Sequence, residues 1–346
     1  MTDLSAPPAL DTFDLLVKGD PAPDWLEEGV VAAWGYPHGT ALTLITVSEN
    51  ATFLVRVDGD PVAVLRVARP GYMSGVAAFE SEVAWVRSLA AQGVARVPAG
   101  VPTLDGSFVA MLPDGHGTAW ACVSYTYVAG QVLEDIADPV PYYRRIGATT
   151  ARLHEHAVRW TPPAGFERHA WDLPHMVGPE CRWGRWEGAD LGSSELALLG
   201  RAQQAALTLL ADVPRDPSVW GLIHADLRPS NLMVDDDDRL TVIDFDDSGW
   251  SWFWYDFAAA FSFIEHLPDA PTMAAHWVAG YREVRPFTDD DARYGGALSM
   301  VRRLQMLGWT TTHRADALPP ELWAGQVPGT VQVAERFLAS PTWLLD

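Results

Sequence analysis

The chain has 346 residues, 48% of them apolar, so it is long enough to bury a full core and to form two lobes. Its 45 acidic and 24 basic residues give a formal net charge of −21, which repels phosphate backbones and argues against nucleic acid as a partner. Two cysteines make neither a disulfide framework nor a metal site. No apolar run reaches membrane-spanning length and the N-terminus does not resemble a signal peptide, so a cytoplasmic protein without a membrane partner is expected.

The first part of the sequence predicts a small antiparallel β sheet backed by one helix. Segments rich in β-branched residues lie at 40–47, 51–57 and 61–67, separated by the turn sequences SEN and DGD, and two more lie at 108–113 and 120–128. Residues 74–93 place apolar side chains at helical spacing and end at a glycine, which predicts one amphipathic helix.

Beyond residue 130 the apolar residues recur mostly at helical spacing. This pattern predicts helices at 138–158, 193–212, 255–266, 270–283, 290–308 and 327–338. The exception is a predicted hairpin, in which the runs LMV at 232–234 and LTVID at 240–244 flank DDDDR. The sequence therefore predicts an α+β protein, with a β-rich N-terminal lobe and a larger, mostly helical C-terminal lobe.

Residues 221–247, GLIHADLRPSNLMVDDDDRLTVIDFDD, place a histidine, an asparagine and many carboxylates around that hairpin. Asp226 and Asn231 fit the pattern H-x-D-x-x-x-x-N, and Asp244 comes thirteen residues after Asn231. Phosphoryl transfer from ATP needs such a set, because one carboxylate can orient a hydroxyl and accept its proton while an amide oxygen and a second carboxylate bind Mg²⁺. A hairpin between Asn231 and Asp244 would return both oxygen ligands to the same end of the strands.

Several segments of the chain together resemble one known family. The most specific are LIHADLRPSNLM and VIDFDD, and the similarity extends to LRVARPGYMS, FESEVAWVRSL, ARLHEHA and WYDFA. These segments resemble the aminoglycoside phosphotransferase and choline kinase family, whose members have a two-lobed, protein-kinase-like fold. Within that family the chain is most similar to the bacterial group that holds homoserine-kinase-like and stress-response-kinase-like members.

The resemblance implies a role for each residue of the motif. Asp226 would be the catalytic base, and Asn231 and Asp244 would bind Mg²⁺. His224 would support the loop by packing and hydrogen bonding. Asp256 matches an acid that steadies the catalytic loop from the start of a helix, although a plain helix cap is an alternative that is compatible with that role.

The resemblance also implies an ATP site that begins in the N-terminal lobe. Arg66 occupies the strand position where kinases carry a phosphate-pairing lysine, with Glu82 as its expected ion-pair partner and Glu80 as the rival. The domains expected are a nucleotide-binding lobe at 1–123, a hinge at 124–130 and a catalytic and substrate-binding lobe at 131–346.

Two further segments are expected to contact the nucleotide. The first turn, VSENATFLV, lacks the glycine-rich pattern of kinases, so a phosphate lid there would use the backbone N–H groups between Ser48 and Ala51, including that of Asn50. Adenine is expected near SYTYVAG, where the backbone can offer donors and acceptors from Ser124, Tyr125 and Thr126.

The sixteen tryptophans suggest how an acceptor could be bound, because several of them lie beside acids. Aromatic faces next to carboxylates suit a cationic amine. The residues expected to contact such an amine are Trp171, Trp183, Trp186, Trp250 and Asp247. For any single tryptophan, packing in the core is the alternative.

Two other polar features near the motif have more than one interpretation. Arg228 lies two residues after Asp226, where it either holds the transferring phosphate or fixes the loop through a salt bridge. His154 and His156 stand at i and i+2 of a predicted helix and point apart, so we interpret them as packing and surface histidines and not as metal ligands.

Taken together, the sequence predicts an ATP- and Mg²⁺-dependent O-phosphotransferase, a monomer or homodimer, that acts on a small hydroxylated molecule. An amine-bearing acceptor is expected, such as an aminoglycoside, an amino alcohol or a homoserine-like compound. One alternative is a Ser/Thr protein kinase of the stress-response type, although DDSGWSWFWYD is short for an activation segment. The other is a nucleotide-binding module without catalysis, which the presence of Asp226, Asn231 and Asp244 argues against.

Overall fold

The computed structural model describes residues 13, 15–313 and 318–346, and this part of the chain divides into two compact units. The N-terminal unit contains the described residues up to Gly130 together with Pro162–Arg168. The C-terminal unit contains Gln131–Thr161 and the described residues from His169 onward. The first unit holds a β sheet and the second is mostly helical, so the predicted α+β class is confirmed.

The N-terminal unit is built on a five-stranded antiparallel sheet with the strand order β1-β2-β3-β5-β4. The strands are β1 (Ala41–Val47), β2 (Asn50–Val57), β3 (Asp60–Ala68), β4 (Val109–Pro113) and β5 (Ala119–Thr126). Helix α2 (Val76–Ala91) connects β3 to β4. All five strands and this helix lie where the alternation of apolar residues predicted them.

Two hydrophobic clusters cover the two faces of this sheet, as the two-residue period of its strands requires. Cys122 of β5 belongs to one cluster, with Phe53 and Leu65, and the next residue, Val123, belongs to the other, with Phe79 and Val83 of α2. The first cluster is closed by α1 (Asp24–Trp34), a helix that the sequence analysis did not predict.

The C-terminal unit contains the remaining helices and three short strand pairings. The helices are α3 (Tyr142–Arg159), α4 (Leu173–Met176), α5 (Ser193–Leu210), α6 (Trp254–Ala259), α7 (Ala270–Tyr281), α8 (Asp289–Trp309), α9 (Pro320–Ala324) and α10 (Gln326–Ala339). The strands are β6 (Gln131–Val132), β7 (Trp220–Ile223), β8 (Leu232–Val234), β9 (Leu240–Val242) and β10 (Gly249–Trp252). They form a β6-β8-β9 sheet and a separate β10-β7 pair. None of the described helices is long and apolar enough to cross a membrane.

One predicted helix is much shorter than expected. The helix predicted at 255–266 ends at Ala259, and a series of tight turns follows it up to the start of α7. Phe263 has a φ of 72°, in the left-handed region, which a continuous right-handed helix excludes. The apolar composition of this segment reflects its burial and not a helical period.

Helices α3 and α7 approach each other at two glycines. A Cβ atom at Gly147 would lie 1.9 Å from the carbonyl oxygen of Trp277, and one at Gly280 would lie 1.7 Å from that of Arg144. These distances are far below van der Waals contact, so only residues without a side chain allow the two backbones to come this close. The contact holds α3, which carries His154, against the helix that carries Tyr281.

Replacing Gly147 by alanine should lower the free energy of unfolding by about 3 kcal/mol, because the two helix backbones must separate to admit the methyl group. Gly200 is the matched control, since it lies in α5 with nothing within 4 Å of its Cβ position. Gly200→Ala should raise the free energy of unfolding by roughly 0.5–1 kcal/mol, because alanine costs less backbone entropy in a helix. Urea denaturation of both variants measures the difference, and a shift in the same direction for both would contradict the close crossing.

Candidate active site

Two strand pairings bring the predicted site residues together. Leu232 of β8 pairs with Val242 of β9, and Ile223 of β7 pairs with Gly249 of β10. The loop at 224–231 and the loop at 243–248 therefore begin and end beside each other. The backbone N–H of Ile243 also donates to the carbonyl oxygen of Asn231 at 3.0 Å. The predicted hairpin is thus present, and it returns Asn231 and Asp244 to one end of the sheet.

Asp256 holds the start of the 224–231 loop. Its fully buried carboxylate accepts the backbone N–H of Ala225 at 2.7 Å and that of His224 at 3.3 Å. Asp256 belongs to α6, but its side chain forms no cap of that helix, and its hydrogen bonds go to the backbone of the loop. Ala225 has a φ of 67°, and this strained conformation is held in place by the 2.7 Å bond.

A buried histidine completes the support of Asp256. His154 is fully buried, and its Nε2 lies 3.0 Å from Asp256 Oδ2 while its Nδ1 lies 2.9 Å from the hydroxyl of Tyr281. Burial lowers the pKa of His154 more than the neighbouring Asp256 raises it. The neutral ring therefore donates from Nε2 to Asp256 and accepts the Tyr281 hydroxyl proton at Nδ1. His156 is buried as well and stacks on Trp160, so both histidines pack inside the fold.

His224 links the two loops of the site. Its Nδ1 accepts the backbone N–H of Asp226 at 3.3 Å, which leaves the proton on Nε2 to be donated to the carbonyl oxygen of Ile243 at 3.1 Å. The ring is fully buried and packs against Phe245. His224 therefore fixes Asp226 relative to the residue that precedes Asp244.

The carboxylate of Asp226 is bound on both oxygens. Its Oδ2 accepts from Nδ2 of Asn231 at 2.7 Å and from Nε of Arg228 at 3.2 Å, and its Oδ1 accepts from Nη2 of Arg302 at 2.6 Å. The side chain keeps 15% of its surface exposed, so an incoming group can still reach it. Of the two interpretations of Arg228, the salt bridge is present, and a contact with a transferring phosphate stays a prediction.

Arg302 is the site residue that the sequence analysis missed. It lies in α8 with a side-chain exposure of 1%, and it reaches Asp226 across 76 positions of the chain. Aromatic rings cover its guanidinium, with Trp183 at 5.0 Å and Tyr255 at 5.3 Å from the central carbon. The segment SMVRRLQMLGW offered a signal, because a cation among mostly apolar residues of a buried helical segment needs an acid inside the fold.

Asn231 and Asp244 fit a magnesium ion by the chemistry of their donors. Because Nδ2 of Asn231 is bound to Asp226, the closest hydrogen-bond partner of its amide oxygen among the described residues is the Ser230 hydroxyl at 3.5 Å. Asp244 is exposed and has a φ of 61°. Among the described residues there is no cluster of three or more His, Cys, Asp or Glu side chains that could hold a metal by itself. An amide oxygen and a carboxylate match the usual Mg²⁺ site, in which two protein ligands are completed by phosphates and water.

The N-terminal unit contains the predicted pair between Arg66 and an acid of α2. Nη2 of Arg66 lies 2.6 Å from Glu82 Oε2, and the hydroxyl of Tyr125 donates to Oε1 of Glu82 at 2.7 Å. Arg168 adds a second cation at 3.8 Å. Burial acts to raise the pKa of Glu82, but Arg66 and Arg168 outweigh it and the pKa lies below the ordinary value, so this buried glutamate is ionised. Glu80, the rival partner, is exposed.

The strand that was expected to offer its backbone to adenine is already hydrogen-bonded within the unit. The carbonyl oxygen of Ser124 accepts from Val101, and the N–H of Thr126 donates to Ala99. The Tyr125 hydroxyl is bound to Glu82. One backbone group of Ser124 and one of Thr126 are therefore already engaged, and a contact of this strand with adenine stays a prediction.

The first turn of the sheet is closed by hydrogen bonds. The N–H of Ser48 donates to the carbonyl oxygen of Asn50 at 3.0 Å, and the Ser48 carbonyl accepts from Arg69 at 2.9 Å. The N–H of Ser48 is thus already in use, and Asn50 is buried at the start of β2. A phosphate contact from this turn stays a prediction.

Burial corrects the expected roles of the tryptophans. Trp171 is fully buried, and its indole N–H donates to the backbone carbonyl of Asp247 at 2.7 Å. Trp186 is 4% exposed and donates to the side chain of Gln203. Both are core residues, so the prediction that they contact an acceptor is wrong. Trp183 is equally buried beneath Arg302, whereas Trp250 is partly exposed in β10.

Comparisons with known proteins agree with this architecture. The sequence profile described as "Phosphotransferase enzyme family" matches residues 42–293. A solved microcompartment-associated aminopropanol kinase is 36% identical, with a TM-score of 0.83, and the match covers 93% of this chain and 99% of that one. An amicoumacin kinase is 17% identical, with a TM-score of 0.71 and coverage of 90% and 92%. A spectinomycin phosphotransferase is 12% identical, with a TM-score of 0.63 and coverage of 90% and 96%. A search of curated proteins finds no match.

Replacing Asp256 by asparagine should lower the free energy of unfolding by about 3 kcal/mol, because it removes the buried charge that receives two backbone donors and His154. Asp290→Asn is the control, since Asp290 is 70% exposed and forms a 3.4 Å surface pair with Arg293. The control should change the free energy by at most about 0.5 kcal/mol. Urea denaturation measures both, and equal values would show that Asp256 does not carry the loop.

Proposed function

The chain belongs to the phosphotransferase enzyme family, as the motif residues suggested, and we propose that it transfers the γ-phosphate of ATP, with Mg²⁺, to the hydroxyl of a small amino alcohol. That it is a phosphotransferase for small-molecule hydroxyl groups follows from the family and from the kinases it is similar to. The amine and the size of the acceptor are the finer part of the proposal.

The observation that carries the proposal is the likeness to an aminopropanol kinase along almost the whole chain. At 36% identity and 93% coverage the likeness includes both units and not only the motif. Aminopropanol carries one hydroxyl and one amine, which is the kind of acceptor that the sequence suggested. The larger antibiotics named for the other two kinases come with 17% and 12% identity, which supports the shared fold and no particular acceptor.

We assign the orientation of the acceptor hydroxyl to Asp226. Its carboxylate is fixed by three donors and still partly exposed, so it can accept the hydroxyl proton without reorienting. Phosphoryl transfer has a loose transition state, and positioning contributes more to it than strong basicity does. A carboxylate held between two guanidinium groups is suited to that role.

Asn231 and Asp244 would hold Mg²⁺ through their oxygen atoms, and Mg²⁺ neutralises charge on the ATP phosphates when it is bound. In the N-terminal unit, Arg66 would contact a phosphate while Glu82 holds its guanidinium in place. Trp250, which is partly exposed in β10, remains a proposed acceptor contact, and so does Asp247, although it is only 7% exposed. Trp171, Trp183 and Trp186 belong to the core.

The purified protein should convert ATP to ADP with Mg²⁺ in the presence of a small amino alcohol. The screen compares 1-amino-2-propanol, ethanolamine, choline, homoserine and spectinomycin, with phosphorylated product identified by mass spectrometry. The largest kcat/KM should belong to one of the small amino alcohols. Turnover of spectinomycin alone, or transfer of label only to protein, would contradict the proposed acceptor class.

Asp226→Asn should reduce kcat by at least roughly 10²-fold, since the amide cannot accept the proton of the hydroxyl. Binding of an ATP analogue, measured by calorimetry, should change little. An Asp226→Asn enzyme with the kcat of the parent protein would contradict the assignment of Asp226.

Asp244→Asn should raise the Mg²⁺ concentration needed for half-maximal activity by roughly tenfold or more, because Asp244 is a proposed ligand of the ion. Removing a residue that merely hydrogen-bonds to a metal ligand already lowers metal affinity by about that factor. Asp237→Asn is the control in the same hairpin, because Asp237 is 70% exposed and pairs only with Arg239. Its Mg²⁺ dependence should match that of the parent protein. An equal rise of the half-maximal Mg²⁺ concentration in both variants would contradict the assignment of Asp244 as a magnesium ligand.

A further inference from the structure

We propose that Arg302 is a positioning residue for phosphoryl transfer, because it fixes the carboxylate of Asp226 in one orientation. The inference rests on the proposed function, in which Asp226 receives the acceptor hydroxyl. It adds a residue 76 positions away, in a helix that contributes no part of the 221–247 motif.

The guanidinium of Arg302 has a different partner on each nitrogen. Nη2 donates to Asp226 Oδ1 at 2.6 Å, Nη1 donates to the hydroxyl of Tyr255 at 2.7 Å, and Nε donates to Oγ of Ser262 at 3.0 Å. A planar fork held at three points cannot rotate or slide without losing a hydrogen bond. The direction from which Asp226 Oδ1 is bound is therefore set by the fold.

The partners of Arg302 are themselves held. The hydroxyl of Tyr255 donates onward to Oε1 of Gln305 at 2.6 Å, and Gln305 lies one turn further along α8. The rings of Trp183 and Tyr255 cover the guanidinium and exclude water from it. Although burial opposes the charged form, Tyr255, Asp226 and Asp247 raise the pKa of Arg302, so it remains a cation.

A comparison with the adjacent residue separates this pair from an ordinary buried ion pair. Arg303 binds Glu265 at 2.7 Å, and both side chains of that pair have no exposed surface. Arg302 is as deeply buried, but its acid, Asp226, keeps 15% of its side chain exposed and belongs to the 224–231 loop. The Arg303 pair ties elements of the fold together, whereas the Arg302 pair connects the fold to the group that meets the acceptor.

The consequence for Asp226 is that neither oxygen is free to turn. Oδ1 is held by Arg302 and Oδ2 by Asn231 and Arg228, yet each carboxylate oxygen can accept more than one hydrogen bond. The carboxylate of Asp226 can therefore still accept a hydrogen bond from the acceptor hydroxyl, and the direction of that bond is fixed. Misplacement of a catalytic group by about 1 Å can cost roughly 10² in rate, which is the effect that Arg302 would prevent.

The test compares Arg302→Met and Arg302→Lys with Arg303→Met and Arg303→Lys in the full chain, using the acceptor that gives the largest kcat/KM in the screen. Arg302→Met should lower kcat by roughly 10²-fold with the KM for ATP within about twofold of the parent value. Arg302→Lys should recover part of that loss, because it restores the charge but not the three-point fork. The Arg303 variants should lose thermal stability to a similar extent and keep kcat within about threefold, since neither partner of that pair touches Asp226.

Equal kcat losses in the Arg302 and Arg303 variants would overturn the inference, because the loss would then reflect stability alone. If the methionine variants do not fold, the two lysine variants decide the question by the same comparison. Asp226→Asn, measured in the same experiment, distinguishes a failure of the proposed role of Asp226 from a failure of the proposed role of Arg302. An active Asp226→Asn enzyme rejects the role of Asp226 in the proposed function, while an inactive one combined with an Arg302→Met enzyme of normal kcat rejects only the role of Arg302.

Discussion

The buried carboxylate of Asp256 is the interaction on which the C-terminal unit depends. It receives two consecutive backbone N–H groups of the 224–231 loop and the imidazole of His154, so one ionised group joins α6, α3 and the loop. A buried charge is tolerated only when its hydrogen-bonding capacity is filled, and here the donors come from the segment that must be held still. The strained φ of Ala225 and the position of His224 both depend on this contact.

The same principle organises the other polar groups of the fold. Glu82 is buried with Arg66, Arg168 and Tyr125 around it, and Glu265 is buried against Arg303. Removing either partner of such a pair leaves an unpaired charge in a medium of low dielectric constant, so the two partners must be present together. The chain therefore uses its buried ions to define positions, while its apolar clusters provide most of the driving force for folding.

Local patterns in the sequence were sufficient for much of the fold. The strands of the N-terminal sheet and the 232–242 hairpin follow from alternating apolar residues and polar turns, which depend only on near neighbours in the chain. Asp226, Asn231 and Asp244 all lie within that hairpin and its flanks, so their approach depends only on local pairing. Helix α1 was missed, although Leu26, Val30 and Trp34 recur at helical spacing on its buried face.

The remaining features depend on long-range contacts that composition does not record. Arg302 meets Asp226 only after α8 has packed against α6, so no local pattern pairs them. Trp171 and Trp186 cannot be distinguished from surface tryptophans by their acidic neighbours, because burial is decided by the helices that cover them. The helix predicted at 255–266 ends at Ala259, and the left-handed turn at Phe263 that keeps it from resuming is a backbone conformation that apolar periodicity does not reveal.

The position of Arg302 over Trp183 decides which cation that indole can bind. Its ring lies 5.0 Å from the central carbon of the Arg302 guanidinium, and only 4% of Trp183 is exposed. The guanidinium is covalently part of the protein and therefore always present, so a soluble ammonium group would have to displace a partner of effectively unlimited local concentration. The cation–π contact that the sequence suggested for an acceptor amine at Trp183 is thus made within the protein itself.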